Sequence, residues 1–189
     1  TLLLTLPGTP FLYYGEEIGM IGTKPDERIR TPMQWSPAPG AGFTTGAPWQ
    51  PFQDDWQART VEAQSADPAS LLSAYRRLIH ARNSHPALLH GEYIPVTAGD
   101  PNVFAFLRQD DAQQVLVLIN LGSEPAEDLP YAAPPGALPT ARYAGQDALG
   151  SGIEATIAVD AGGAVTVSSP SGPLPAKTGV VLPLTPAGD

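Results

Sequence analysis

A short apolar and aromatic run that ends at a glycine constrains the fold more than any other stretch of the sequence. Residues 10–14 read Pro-Phe-Leu-Tyr-Tyr, and Gly15-Glu16-Glu17 follows them. A continuous apolar run of this length is typical of a strand covered on both faces, as in a parallel sheet. Residues 1–6 are also apolar and stop at Pro7-Gly8, which is typical of a helix end. A helix end, a tight turn and a buried strand predict an α/β region.

The next segment, from Ile21 to about Ala66, has no sustained hydrophobic period and is rich in proline and glycine. The whole chain holds 22 Pro and 19 Gly in 189 residues, so long helices are expected to be few. A loop of this length in a compact domain is usually functional or disordered. Large aromatic side chains argue against disorder here, and they are Phe43, Trp35, Trp49 and Trp56.

One helix is predicted clearly, from Asp67 to about Asn83. Asp67 is suited to cap it and Pro68 suits its first position. Apolar side chains at helical spacing form one stripe that we expect to pack in a core: Leu71, Leu72, Tyr75, Leu78 and Ile79. This face is expected to order the chain by packing against the β-rich part that follows.

The pattern changes at about Gly91 to short β-branched or aromatic runs. Seven such runs, with turn residues between them, predict an antiparallel sandwich. They fall near residues 93–96, 103–107, 115–119, 141–143, 153–159, 165–167 and 180–184. Asp110-Asp111 is predicted to be a turn, and the Pro/Ala/Gly-rich segment 129–140 a loop of the same module.

Composition and charge exclude several classes of partner. The formal net charge is -9 with only two lysines, so no basic cluster is available to neutralise nucleic-acid phosphates or an anionic membrane. No apolar run reaches the roughly 18 residues of a membrane helix. There is no cysteine, and this absence does not assign a cellular compartment. Because the sequence begins at Thr1 inside an apparent helix end, we expect that a preceding segment exists.

Three sequence blocks resemble one enzyme family. Gly8-x-Pro10-x-Leu12-x-Tyr14-Gly15-x-Glu17 resembles the last barrel strand of the α-amylase family, glycoside hydrolase family 13. Arg30-Thr31-Pro32-Met33-Gln34-Trp35, then Ala-Gly-Phe-Thr-Thr-Gly at 41–46 and Pro48-Trp49, resemble its oligo-1,6-glucosidase and α-glucosidase branch. The resemblance extends over about residues 1–95. The β-rich remainder is similar to the C-terminal sandwich, domain C, of that family.

The resemblance implies a fold in two parts and an activity that lies elsewhere. Residues 1–90 would be an α/β remnant, the last strand and helix of a (β/α)8 barrel, and residues 91–189 an all-β antiparallel sandwich. The family uses an aspartate nucleophile, a glutamate acid/base and a second aspartate, all on strands upstream of this one. A full barrel takes roughly 250 residues. We therefore expect a C-terminal fragment of a retaining hydrolase of α-glucosidic bonds in starch-derived oligosaccharides, inactive alone.

Within this chain no catalytic residue is predicted, and Arg30 is the expected substrate-binding residue. The resemblance implies that Arg30 closes the pocket around a glucose ring, with Arg28 as a rival and a surface anchor as the structural alternative. Glu16 and Glu17 are a tempting catalytic pair. Consecutive strand residues point to opposite faces, however, so we expect structural roles for both carboxylates.

The remaining chemistry-bearing residues are expected to be structural. The tryptophans and Phe43 are either sugar-stacking platforms or, as we expect, anchors of the long loop. His80, His85 and His90 have no partners at metal-ligand spacing, so surface or cap roles are expected. No metal and no cofactor is predicted in this chain, and calcium elsewhere in the enzyme is left open.

Two alternative functions and one missing partner are left open by the sequence. The chain is either a part of such an enzyme or a non-catalytic carbohydrate-binding or assembly module. Within the enzyme class, an α-glucoside isomerase or transglycosylase such as trehalose synthase is the alternative to hydrolysis. The strand Phe11 to Tyr14 would leave backbone groups unpaired on both edges. We expect another segment or another copy to pair with it, or the run to be reorganised.

Overall fold

The computed structural model describes residues 1–127, 130–169 and 171–187 and separates the chain into two compact units. Residues 1–9 and the chain from Arg77 onward form one, the barrel unit. Residues 10–76 form the other, the loop unit. No helix of the described residues is both long and apolar enough to cross a membrane. The domain boundary between residues 90 and 91 stays a prediction.

Helices in the described ranges are short apart from one. They are α1 (Leu2–Thr5), α2 (Asp26–Ile29), α3 (Val61–Ser65), α4 (Leu71–Ser84) and α5 (Pro86–His90). Single 3-10 turns lie at Glu16–Ile18, Pro39–Gly42 and Trp56–Ala58. This pattern follows from the density of proline and glycine, because proline lacks a backbone donor and glycine loses the most entropy on ordering.

The predicted long helix is present as α4, but its first helical residue is Leu71 and not Pro68, three residues later than predicted. Asp67 Oδ1 accepts a bond from the backbone N–H of Ala69 at 2.8 Å, which closes a turn before the helix. The hydroxyl oxygen of Ser70 accepts from the N–H of Ser73 at 3.2 Å and takes the capping position. A serine cap is as effective as an aspartate cap, so the local pattern did not distinguish the two.

The expected apolar stripe of α4 is only partly a core. Leu72 is buried, whereas Leu71 and Ile79 are exposed. In the barrel unit it is α5 that packs on the strands, through the fully buried Ala87 and Leu88. The expectation that the whole stripe packs in a core was therefore wrong at both exposed positions.

Eight described strands form a closed antiparallel barrel. They are β1 (Glu92–Ala98), β2 (Val103–Gln109), β3 (Gln114–Asn120), β4 (Pro130–Ala132), β5 (Ala141–Gln146), β6 (Glu154–Val159), β7 (Ala164–Ser168) and β8 (Gly179–Pro186). Their order around the barrel is β1-β2-β3-β8-β5-β6-β7-β4, and β4 pairs with β1 to close it. The seven predicted strands and their antiparallel arrangement are confirmed.

Closure corrects the prediction of a sandwich. Residues 92–96 of β1 pair with β2, and residues 97–98 pair with β4. In the same way β8 pairs with β3 through residues 179–183 and with β5 through 184–186. The strands therefore form two sheets, and β1 and β8 each belong to both. Because these two strands join the sheets on both sides, no edge strand is left free.

The strand β4 was missed inside a segment predicted to be a loop. It has three residues, Pro130, Tyr131 and Ala132, which is too short for an alternating pattern. Its position is set by its pairing with β7 and β1. Leu129 of the same predicted loop lies outside the described residues.

Strands β2, β3 and β8 read as continuous apolar runs because both faces are covered. Leu116, Leu118 and Leu182 belong to the core inside the barrel. The intervening Val117 and Val181 belong to a second core on the outer face, with Leu88 of α5. Strands β5, β6 and β7 instead alternate buried and exposed residues, as expected for strands with one solvated face.

Two buried arginines hold the N-terminal residues on the barrel unit. Arg82 donates three hydrogen bonds to backbone carbonyls, to Leu4 at 2.9 Å, Leu6 at 3.1 Å and Gly8 at 2.7 Å. Arg108 donates to the carbonyl of Thr5 at 2.6 Å. Burial lowers the pKa of Arg108, and the nearby charge of Arg82 lowers it further. The carbonyls at the end of α1, which lack helical partners, are satisfied in this way.

The buried strand expected at residues 10–14 is not formed. These residues carry no strand, and Phe11 is 85% exposed. Leu12, Tyr13 and Tyr14 are exposed as well. A strand needs a neighbour to accept and donate its backbone hydrogen bonds, and no described strand pairs with this run. The expectation of a buried strand in this chain was therefore wrong.

Candidate functional site

The candidate site lies in the loop unit and begins at a glycine turn. Gly15 has a φ of 88°, a left-handed conformation that favours glycine, and an added Cβ would overlap the side chain of Met20. The turn leads into the 3-10 turn Glu16–Ile18 and places Ile18 in a small core with Met33 and Leu72. Gly15 thus turns the backbone tightly where the apolar run ends.

The segment Thr31 to Gln34 is buried and presents Trp35 at its end. The carbonyl of Gln34 accepts from the N–H of Val61 at 3.0 Å, and that of Trp35 from the N–H of Glu62 at 2.9 Å. The N–H of Trp35 donates to the carbonyl of Ala41 at 2.9 Å. These bonds hold the backbone on both sides while the Trp35 ring stays half exposed.

Four aromatic rings from distant points of the loop unit line one cavity, which we call the aromatic cavity. It has a volume of about 350 Å³. The rings belong to Tyr14, Trp35, Phe43 and Trp49. Glu17 supplies an ionisable group to the wall. The sequence singled out three of these rings, but the participation of Tyr14 and Glu17 was missed because both were assigned to a strand.

Tyr14 connects the cavity to the segment that follows Arg30. Its hydroxyl donates to the carbonyl of Thr31 at 3.0 Å. Burial raises the pKa of the Tyr14 hydroxyl above its ordinary value, the neighbouring Tyr13 adds to the rise, and Arg30 opposes it. The phenol therefore stays protonated at neutral pH and keeps an oxygen lone pair available to a further donor.

Arg30, the expected substrate-binding residue, lies outside the lining of the aromatic cavity. Its Nη2 donates to Asp26 Oδ2 at 3.0 Å across one turn of α2, and both side chains are largely exposed. Lys24 is paired with the same carboxylate. An exposed pair of this kind contributes only about 0–1 kcal/mol to stability. A role of Arg30 in substrate binding stays a prediction.

Glu16 and Glu17 stand next to each other in a 3-10 turn and not at a strand end. Burial raises the pKa of the Tyr75 hydroxyl, and the negative charges of Glu16 and Glu17 raise it further. Glu17 faces the aromatic cavity, whereas Glu16 is exposed. The structural roles expected for the two carboxylates stay a prediction.

The other residues weighed in the sequence have local partners. Trp56 packs on Phe52 with ring centroids 5.1 Å apart, as an anchor of the loop would. His85 Nδ1 bonds the carbonyl of Ala81 at 2.7 Å. Asp110 Oδ1 accepts from two backbone N–H groups that follow it, which confirms the predicted turn. No group of three His, Cys, Asp or Glu suited to a metal ion occurs among the described residues.

A family model places this arrangement among known proteins. Residues 1–91 match the model described as alpha amylase, catalytic domain. This part of the chain contains the whole loop unit and its aromatic cavity. The chain belongs to the α-amylase family, as the three sequence blocks predicted.

The chain is similar to individual enzymes of this family. The trehalose synthase/amylase TreS of Mycobacterium tuberculosis is 42% identical over 137 residues, which are 66% of this chain and 23% of the relative. An oligo-1,6-glucosidase of Halalkalibacterium halodurans is 31% identical over 156 residues, 64% of this chain and 28% of the relative. The crystal structure of an alpha-amylase from H. orenii matches with a TM-score of 0.67 and 34% identity, covering 96% of this chain and 33% of that one.

The chain spans less than a third of the length of each of these two relatives.

Proposed function

We propose that this chain is the C-terminal part of a retaining, α-glucan-active glycoside hydrolase. Residues 1–90 supply the last strand, loop and helix of its (β/α)8 barrel, and residues 91–189 supply domain C, here an antiparallel barrel. The match of residues 1–91 to an α-amylase catalytic domain carries the proposal. A complete barrel takes roughly 250 residues, so the chain alone lacks most of one and is expected to be inactive.

Exposure of the run from Phe11 to Tyr14 supports a partner outside this chain. Phe11 is 85% exposed, and the three residues after it are exposed too. Four consecutive large apolar side chains in water are unfavourable, and a contiguous exposed patch usually marks an interaction site. We assign this run to the last barrel strand, paired in the longer enzyme by the neighbouring strands.

The catalytic carboxylates are assigned to upstream strands. A retaining glycosidase holds its two carboxyl groups about 5–5.5 Å apart across the anomeric carbon. Glu16 is exposed, and Glu17 lies in the wall of the aromatic cavity. Adjacent residues of one turn do not face a single sugar carbon from two sides. Neither glutamate is therefore given a catalytic role.

Activity of two purified proteins tests the proposal. The 189-residue chain is expected to give no turnover of starch, maltose or isomaltose. The product of the longer reading frame, which also encodes the remainder of a barrel of roughly 250 residues, is expected to hydrolyse at least one of them with retention at the anomeric carbon. Clear turnover by the short chain, free of other enzymes, would contradict the proposal.

Arg30 is proposed to bind the glucose at the closed end of the pocket in the longer enzyme. Its guanidinium offers a planar fork of donors that suits paired oxygens, and its weak surface pair with Asp26 leaves it available. Arg30→Ala in the longer enzyme is expected to lower kcat/KM about 10- to 100-fold, the loss of one or two charged hydrogen bonds. Arg28→Ala is the matched control, with kcat/KM expected within twofold of the parent. An equal loss of kcat/KM in both variants would contradict a specific role of Arg30 in binding the glucose.

Isomerisation is the second candidate activity. It is favoured by the higher identity to the trehalose synthase/amylase, 42% against 31% for the oligo-1,6-glucosidase. Hydrolysis and transfer share the covalent intermediate and differ in whether water or a sugar hydroxyl attacks it. Product analysis of the longer enzyme on maltose separates the two, since trehalose indicates isomerisation and glucose alone indicates hydrolysis.

A further inference from the structure

We propose that the aromatic cavity is a subsite for one α-linked glucopyranose ring, which lies among the exposed rings of Trp35, Phe43 and Trp49 and stacks on at least one of them. The inference deepens the proposed function and rests on it. It adds a ligand contact that belongs to this chain itself and that is separate from Arg30, which lies outside the cavity lining.

The volume of the aromatic cavity and the exposure of its rings are those expected of a ligand site. Its volume of about 350 Å³ falls in the usual range of small-molecule sites, about 300–1,000 Å³. Trp49 is 59% exposed, and Trp35 and Phe43 are at least half exposed. A ring that only anchors a loop is expected to be buried, as aromatic residues stabilise by burying area. Anchoring therefore explains Trp56, which packs on Phe52, better than it explains these three rings.

Two polar side chains in the wall of the aromatic cavity offer hydrogen-bond acceptors. The carboxylate of Glu17 has no hydrogen bond or ion pair among the described residues, and it accepts but does not donate. The hydroxyl of Tyr14 already donates to the carbonyl of Thr31, so its remaining capacity is also to accept. The cavity thus combines apolar faces with acceptors. A pyranose ring offers the complement, a face of C–H groups and an edge of hydroxyl donors.

An organic cation is the competing ligand, because aromatic rings beside a carboxylate also bind quaternary ammonium groups. Such a cage needs several rings within about 6 Å of one charge. Titration with maltotriose and with tetramethylammonium separates the two ligands.

Tryptophan fluorescence of the 189-residue chain tests the subsite, because two of its three tryptophans line the cavity. Titration with maltotriose is expected to change the emission to saturation, and the β-linked cellotriose to bind more weakly. Trp49→Ala is expected to weaken maltotriose binding about tenfold, equivalent to about 1.4 kcal/mol. Trp56→Phe is the matched control and is expected to keep the parent affinity.

A second pair of variants does not depend on removing a large side chain. Glu17→Gln is expected to weaken maltotriose binding severalfold, since a neutral amide is a poorer acceptor than a carboxylate. The control is the adjacent Glu16→Gln, which lies outside the cavity lining and is expected to bind as the parent does. Far-UV circular dichroism checks that each variant is folded as the parent is.

Three outcomes overturn the subsite: no saturable response to maltotriose by the folded chain, unchanged affinity in both Trp49→Ala and Glu17→Gln, or binding of tetramethylammonium in place of the sugar. The proposed function is judged separately, by turnover of the longer enzyme. If the longer enzyme is active and Trp49→Ala leaves its KM for maltotriose unchanged, the subsite is rejected and the proposed function is retained. If the 189-residue chain binds the sugar but the longer enzyme is inactive, the proposed function is rejected and the subsite is retained.

Discussion

Replacing Arg82 by alanine is expected to lower the free energy of unfolding by about 3–5 kcal/mol, because it leaves one buried carbonyl, that of Leu4, and two part-buried carbonyls without their donor. Arg82 is 6% exposed and donates to the carbonyls of Leu4, Leu6 and Gly8. Hydrogen bonds from a charged donor contribute about 1.5–3 kcal/mol each and are not additive. Chemical denaturation followed by far-UV circular dichroism measures the loss, and the N-terminal nine residues are expected to become sensitive to proteases.

Arg76 on the same helix provides the matched control. Its guanidinium bonds the hydroxyl of Ser65 at 3.1 Å at the protein surface. Arg76→Ala removes a similar side chain and the same charge but uncovers no buried carbonyl, so the expected change is within about 0.5 kcal/mol. Equal effects of the two substitutions would show that the buried bonds of Arg82 contribute nothing specific.

Phe106→Ala is expected to cost about 3–5 kcal/mol, the usual range for truncating a fully buried phenylalanine. The ring lies on the outer face of β2 and has no exposed surface. It packs with Leu88 of α5 and with Val117 of β3. Its removal leaves a cavity between the strands and α5, in addition to the lost transfer free energy. The denaturation midpoint measures this effect.

The neighbouring ring on the same strand and face is the control. Phe104 is 37% exposed and lies 5.6 Å from Phe106, centroid to centroid. Because much of its surface is already in water, Phe104→Ala is expected to cost about 1 kcal/mol, the common size of a point-mutation effect. A larger loss for Phe104→Ala than for Phe106→Ala would mean that α5 does not cover the strand as described.

Local patterns predicted most of the barrel unit. The β2–β3 hairpin was predicted from two apolar runs and the Asp110 turn, and all three features are confirmed. Each depends on residues that are close in sequence, so the sequence contains the information directly. The same is true of Gly15, whose positive φ favours glycine. The three-residue β4 was missed because it has no pattern of its own.

The candidate site was predicted in part. Trp35, Phe43 and Trp49 were singled out, but the loop that carries them has no regular element to relate them. Their convergence with Tyr14 and Glu17 on one cavity required coordinates. Arg82 does not belong to the apolar stripe predicted for its helix, and the sequence pattern gave no sign that its side chain is buried.

By itself the sequence determined the family, the positions of seven strands and the main helix, because motifs and hydrophobic periods are local. Only the tertiary structure decided that the strands close into a barrel, that Arg82 holds carbonyls 74–78 residues away, and that residues 10–14 lie exposed. The reason is common to all three. Whether a strand pairs or a side chain is buried depends on which groups from distant parts of the chain surround it. An apolar run indicates that its residues favour burial, but it does not identify the residues that would cover them.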